Sequence, residues 1–218
     1  MSQPAGSTPP PTPIRVLVAD DHIVVRLGLV TLINNQPDMQ VVAEAANGQE
    51  VIDLVRQHKP HVILMDLRMP GLSGDQTIAA VCAENPGARV IVLTIHKGDE
   101  AAYQALRAGA RGYLIKDTPT REIVGAIREV HAGGQRIEPA IAEQVAQRIG
   151  KAGLSVREID VLKLIANGLS NKEVANELGV TEATAKKHMT SVLTKLGAKD
   201  RTHAVRLGLE RGIISLDQ

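Results

Sequence analysis

From Ile14 onward, short runs of consecutive apolar residues alternate with stretches in which apolar residues return every three or four positions. The runs are IRVLVA (14–19), MQVVAEA (39–45), HVILMD (61–66), RVIVLT (89–94) and RGYLI (111–115). Helical spacing occupies about 22–34, 48–58, 75–84, 99–108 and 119–132 between them. Strands apolar on both faces must be covered on both faces, and strands separated by helices pair in parallel. Right-handed crossovers then predict an α/β domain over residues 14–133, a doubly wound five-stranded parallel sheet.

Gly133-Gly134 ends that alternation. Residues 134–152 read as a linker with one short helix near 139–149, bounded by Pro139 and Gly150. Residues 153–218 carry no strand signal and predict a small all-α domain of four helices. Ser155-Val-Arg-Glu158 and Ser170-Asn-Lys-Glu173 are capping boxes, each followed by helical periodicity. Thr181 and Asp200 are candidate N-caps, and Gly168, Gly179 and Gly197 stand where helices should stop.

Composition sharpens this picture in three places. There is no Phe or Trp and only two tyrosines, Tyr103 and Tyr113, so the cores must be built from Val, Ile, Leu and Ala. A single cysteine, Cys82, excludes an intrachain disulfide or a cysteine-rich metal site. Residues 1–13, MSQPAGSTPPPTP, bury nothing and lack a secretory signal, so a disordered tail is expected. With no apolar run of membrane-spanning length, no membrane partner and a cytoplasmic location are expected. The net charge of +1 conceals an asymmetry: residues 181–211 hold 7 Lys/Arg against 3 Asp/Glu, whereas residues 14–133 hold 12 against 14.

In a doubly wound sheet, polar groups at the carboxyl ends of the strands converge on one crevice. Here they are Asp20 and Asp21 after the first run, Asp66 after the third, Thr94 after the fourth and Lys116 after the fifth. Gathered carboxylates repel one another unless a cation joins them, and hard oxygen donors suit Mg²⁺. One carboxylate can then attack a phosphoryl group, with a lysine and a hydroxyl to receive the new charge. Taken singly, each residue has a plainer reading, and Asp21 could simply cap the next helix.

With VADDH (18–22), ILMDLRMPGLSG (63–74), Thr94 and Lys116-Asp117 in place, residues 14–133 resemble a response-regulator receiver domain, which is flavodoxin-like. The resemblance implies that Asp66 is the phosphoacceptor and that Thr94 and Lys116 contact the phosphoryl group. It further implies that Asp20, Asp21 and Asp66 bind Mg²⁺ with the main-chain carbonyl of Arg68. Tyr113 falls at the family's switch aromatic, paired with Thr94; a half-buried strand tyrosine is the plainer alternative.

In SNKEVANELGVTEATAKKH a short helix, a turn at Gly179 and a second helix from about 182 form a helix-turn-helix. Ala185, Met189, Val192 and Leu196 make the core-facing stripe of the second helix. Ala183, Lys186, Lys187, Thr190 and Thr194 lie opposite, where Lys186, Lys187 and Thr190 can reach bases and phosphates. Lys172, Lys195 and Lys199 are placed for phosphates alone. A solvated basic face is the plainer reading of any one lysine. His188 has no second metal donor at ligand spacing and reads as structural or phosphate-facing.

Residues 154–206 resemble the DNA-binding domain of the NarL/FixJ (LuxR-type) regulators, with Ala185 where that family usually has valine. The resemblance implies double-stranded DNA and a sensor histidine kinase as partners. It also implies a homodimer paired through Ala204, Val205, Leu207 and Leu209.

The chain so read is a phosphorylation-switched transcription regulator and no enzyme beyond its own phosphorylation and dephosphorylation. Two alternatives stand beside this. A phosphohydrolase of haloacid-dehalogenase type would need Asp-x-Asp, whereas Leu67-Arg68 follow Asp66. A protein-interaction relay would place a protein, instead of DNA, on the C-terminal helices.

Overall fold

The computed structural model describes residues 12–95, 99–148 and 153–214. Most of the tail expected over 1–13, and the end of the linker (149–152), lie outside those residues. Two compact units divide the chain. The unit carrying the sheet runs to Thr94 and resumes over Ala105–Ile137, and the other takes Ile95–Gln104 with the chain from Glu138 onward.

Five strands follow the apolar runs closely: β1 (Ile14–Ala19), β2 (Met39–Ala45), β3 (Val62–Met65), β4 (Val90–Thr94) and β5 (Gly112–Ile115). Helices α1 (Ile23–Asn34), α2 (Gly48–His58), α3 (Gly74–Glu84), α4 (Asp99–Ala108) and α5 (Thr120–His131) alternate with them. Successive strand residues point to opposite faces, and both sets are buried. Val16, Val18, Leu64, Ile91, Leu93 and Leu114 pack with Ile33 of α1 and with Ile127 and Val130 of α5. Leu17, Ile63, Met65 and Val92 are buried as well, as are Val51 and Val55 of α2 and Ile78 and Val81 of α3. A sheet covered on both sides is what continuous apolar runs require.

The sheet has six strands and not five, in the order β2-β1-β3-β4-β5-β6 with every pairing parallel. The added strand β6 (Arg136–Ile137) comes from the segment read as linker and pairs Gly112 with Arg136 and Tyr113 with Ile137. Gly133, at φ +95°, turns the chain back after α5. Gly112 leaves room for the neighbour: a Cβ there would sit 3.2 Å from the Arg136 carbonyl oxygen. Arg136 then pairs with Glu122 and Glu129 of α5. Two residues are too few to show a strand period.

In the second unit α6 (Pro139–Arg148) precedes four helices, α7 (Val156–Ala166), α8 (Asn171–Leu178), α9 (Glu182–Leu196) and α10 (Arg201–Glu210). Both capping boxes form, with Ser155 and Ser170 at the N-caps of α7 and α8. Thr181 caps α9 through the Thr184 N–H, and Asp200 caps α10 through the His203 N–H. Gly179 and Gly197 end α8 and α9 in the left-handed conformation that glycine adopts without strain. The core is aliphatic: Val161, Leu162, Ile165, Val174, Met189, Val192, Leu196 and Ile214. No helix among the described residues is long and apolar enough to cross a membrane.

His61, just before β3, ties the foot of the sheet. Its main-chain N–H donates to the Arg15 carbonyl (2.8 Å), and its Nδ1 accepts from the Arg15 N–H (3.2 Å). Its ring lies 5.2 Å from that of His131. Burial, then the charges of His131, Arg15 and Arg89, hold its pKa below the ordinary 6.5. A folded pKa below the unfolded one means that the folded state resists protonation. Stability from this group is therefore present above pH 6.5 and is lost as pH falls below it. Thermal melts at pH 7.5 and 5.5 should show a smaller acid-induced drop in Tm for His61→Asn than for the wild type. Equal drops would remove His61 from the account.

Candidate functional site

Parallel strands deliver their C-terminal residues to one edge, and ladder bonds fix the heights. The N–H of Asp20 donates to Ala45 O at 3.1 Å, that of Asp66 to Ala19 O at 2.9 Å, and that of Lys116 to Thr94 O at 2.8 Å. Asp20, Asp66 and Thr94 are buried there, whereas Asp21 lies on the exposed rim. The Lys116 ammonium stands between the two buried carboxylates, 2.6 Å from Asp20 Oδ2 and 2.6 Å from Asp66 Oδ2. Burial alone would lower the Lys116 pKa; hydrogen bonds and charge from both aspartates outweigh that and raise it. The crevice thus holds a permanent cation where two anions meet.

The remaining expected residues gather around this pair. The Arg68 N–H donates to Asp66 Oδ1 at 3.3 Å. Asp21 does not cap α1: the N-cap is His22, with no side-chain capping bond, and Asp21 Oδ1 lies 2.8 Å from His22 Nδ1. Tyr113 is fully buried, not half-buried. Burial, and then the negative charge of Asp66, push its phenol well above the ordinary value, while Arg68 acts in the opposite sense, so it stays protonated. One ligand atom each from Asp20, Asp21, His22 and Asp66 lie within 4.8 Å of one another, a donor set compatible with a divalent cation.

Two residues of this site carried no sequence signal of a role. His22 was legible only as part of VADDH. Arg26 occupies an ordinary helical position, yet its Nη1 donates to the Asp20 carbonyl (2.5 Å) and its Nε lies 3.4 Å from Glu44 Oε2. It clamps the turn that carries both leading aspartates, which only the folded β2 edge brings within reach.

In the second unit Ala185, Met189, Val192 and Leu196 of α9 are buried, as their spacing demands. Ala183, Lys186, Lys187, Thr190 and Thr194 are exposed on the other face. The hydroxyls of Thr190 and Thr194 donate to Lys186 O and Thr190 O, both at 3.0 Å. Lys172 and Lys199 are exposed. Lys195, expected to meet a phosphate, is exposed and donates to Glu158 Oε2 at 2.7 Å, and Ser191 donates to Glu158 Oε1 at 2.6 Å. The expected pairing residues differ in exposure. Ala204 is fully buried in the core of its own domain, whereas Val205, Leu207 and Leu209 keep partial exposure.

Comparison with known proteins finds a family match in each part of the chain. The family model for the response regulator receiver domain matches residues 16–128, and that for bacterial regulatory proteins of the luxR family matches 152–207. The transcriptional regulatory protein LiaR of Bacillus subtilis (strain 168) is 40% identical over 199 residues, 88% of this chain and 94% of the relative. The oxygen regulatory protein NreC of Staphylococcus carnosus (strain TM300) is 34% identical, over 92% of this chain and 99% of its own. Among solved structures, the response regulator ChrA of a heme-sensing two-component system is 35% identical with a TM-score of 0.55, over 93% of this chain and 99% of its own. RcsB from Salmonella enterica serovar Typhimurium, bound to a promoter with the phosphomimetic BeF3−, shares the fold. Its TM-score is 0.67 at 24% identity, over 91% of this chain and 98% of its own.

Glu158 links the α7 capping box to α9. Burial would raise its pKa, but bonds from Lys195, Ser191 and Ser155 prevail and bring it from 4.5 down to about 2. Its contribution to stability is therefore complete above pH 4.5 and is lost as pH falls toward 2. Glu158→Ala should destabilise this domain by roughly 1–3 kcal/mol in urea unfolding at pH 7, as leaving part-buried hydrogen-bonding groups without their partner does. A change under ~0.5 kcal/mol would show the pair to be incidental.

Proposed function

The chain belongs to the response regulators that join a receiver domain to a LuxR-type DNA-binding domain, and from that membership we propose that phosphorylation of Asp66 controls its dimerisation and DNA binding. It is a two-component transcription regulator, built as a DNA-binding regulator and not as a turnover enzyme. The observation that carries the proposal is the Lys116 ammonium bridging Asp20 and Asp66 at the sheet edge, with Thr94 and Tyr113 buried nearby.

A sensor histidine kinase in the cytoplasm supplies the phosphoryl group. An Asp66 carboxylate oxygen forms the new P–O bond as the P–N bond to the donor imidazole breaks, and the imidazole takes up a proton from solvent. Receiver domains bind Mg²⁺ at this acidic pocket, and here Asp20, Asp21, Asp66 and the Arg68 carbonyl would hold it to neutralise phosphoryl charge. Lys116, already beside Asp66, shifts its bond to a phosphoryl oxygen, and the Thr94 hydroxyl donates to another. Ile23, Val24 and Leu27 are exposed at the start of α1, two to six residues beyond Asp21, and offer an apolar surface to a protein delivering phosphate.

On the DNA side Lys186, Lys187 and Thr190 face the major groove, and Lys172 and Lys199 meet the backbone. Lys195 is left to its bond with Glu158. Pairing of two domains through Val205, Leu207 and Leu209 would double the short sequence that one recognition helix reads.

Labelling from acetyl phosphate should require Mg²⁺ and disappear in Asp66→Asn; persistent labelling would refute the acceptor. Lys186→Ala with Lys187→Ala should weaken duplex binding by about ten-fold or more and lower the salt slope by about two. Unchanged affinity would place the reading surface elsewhere.

A further inference from the structure

We infer that His22 is a ligand of the crevice's cation, and that it shifts the preference of the site from Mg²⁺ toward borderline transition ions. The inference rests on the crevice being a divalent-cation site, and it concerns only what His22 adds. Two ligands bound at about 2.1 Å and at right angles on one ion lie about 3.0 Å apart. His22 Nδ1 lies 2.8 Å from Asp21 Oδ1 and 3.4 Å from Asp20 Oδ1, spacings that bracket this value. The His22 N–H donates to Asp20 Oδ1 at 2.9 Å, which fixes the backbone from which the ring projects.

The chemistry of the ring matches that placement. The His22 side chain is 70% exposed, so ligation through Nδ1 leaves the Nε2–H of the neutral ring to water. Carboxylate and carbonyl oxygens hold Mg²⁺ and transition ions alike, whereas an imidazole nitrogen favours the latter. Three carboxylates with one imidazole form a mixed O/N set, suited to Co²⁺ or Zn²⁺ at levels where an all-oxygen site would take Mg²⁺.

The test is calorimetric titration of the full chain with Co²⁺ and with Mg²⁺, comparing wild type with His22→Gln. Proton NMR of the Co²⁺ form provides a second readout. In the wild type, Mg²⁺ should displace Co²⁺, and one exchangeable imidazole N–H should be shifted far downfield by the bound ion. His22→Gln should lose that resonance and about ten-fold or more in Co²⁺ affinity, a loss typical of weakened metal coordination, with Mg²⁺ affinity within about two-fold. Mg²⁺ uptake with Co²⁺ affinity unchanged in the variant, or with both affinities lowered alike, overturns the His22 assignment alone. A wild-type chain that binds neither ion overturns the crevice reading and the assignment with it.

Discussion

The ammonium of Lys116, held between Asp20 and Asp66, is the contact on which the sheet edge depends. Two carboxylates buried at the ends of adjacent strands repel strongly in a medium of low dielectric, and the arrangement is tolerable only with a cation between them. Lys116 immediately follows β5, Asp20 follows β1 and Asp66 follows β3, so one ion-pair triad joins the ends of three strands at the carboxyl edge. In the proposed mechanism the same triad is what phosphorylation would act on: a bound divalent ion or a phosphoryl group would change the charge that Lys116 balances, beside Thr94 of β4 and Tyr113 of β5, both buried.

The second unit solves a different problem, how to hold an exposed basic helix steady on a core that contains no aromatic side chain. Its answer is an aliphatic core sealed by polar clasps at the helix ends. Glu158 is the most heavily used of these: it completes the capping box of α7 and accepts from both Ser191 and Lys195 of α9. These bonds tie α9 to α7, so that Lys186 and Lys187 are presented from a fixed helix. The N-caps and the glycine stops at Gly179 and Gly197 define where that helix begins and ends.

Much of this was readable before any coordinates because the signals are local. β1 through β5 match their apolar runs to within a residue, since a strand buried on both faces must be continuously apolar. The capping boxes at Ser155 and Ser170 are closed by residues three apart, a spacing visible in the chain itself. The pairing of Lys195 with Glu158 spans 37 residues, and the clamp of Arg26 on Glu44 depends on β2 lying beside β1. Neither leaves a local mark. The burial of Ala204 leaves no local mark either: helical periodicity shows that a face is apolar, not what covers it.

Residue order by itself determined the number and kind of the main elements, the convergence of Asp20, Asp66, Thr94 and Lys116 at one edge, and the basic face of α9. Periodicity, capping and strand-end placement are properties of neighbours in sequence, and a parallel sheet then admits few arrangements. Tertiary structure alone decided that Lys116 bridges two aspartates, that Tyr113 is fully buried, that His22 turns toward the carboxylates and that β6 extends the sheet. These depend on distances between residues far apart in the chain or on side-chain torsions. Both are settled by close packing and by the need to satisfy every buried charge, not by any local pattern.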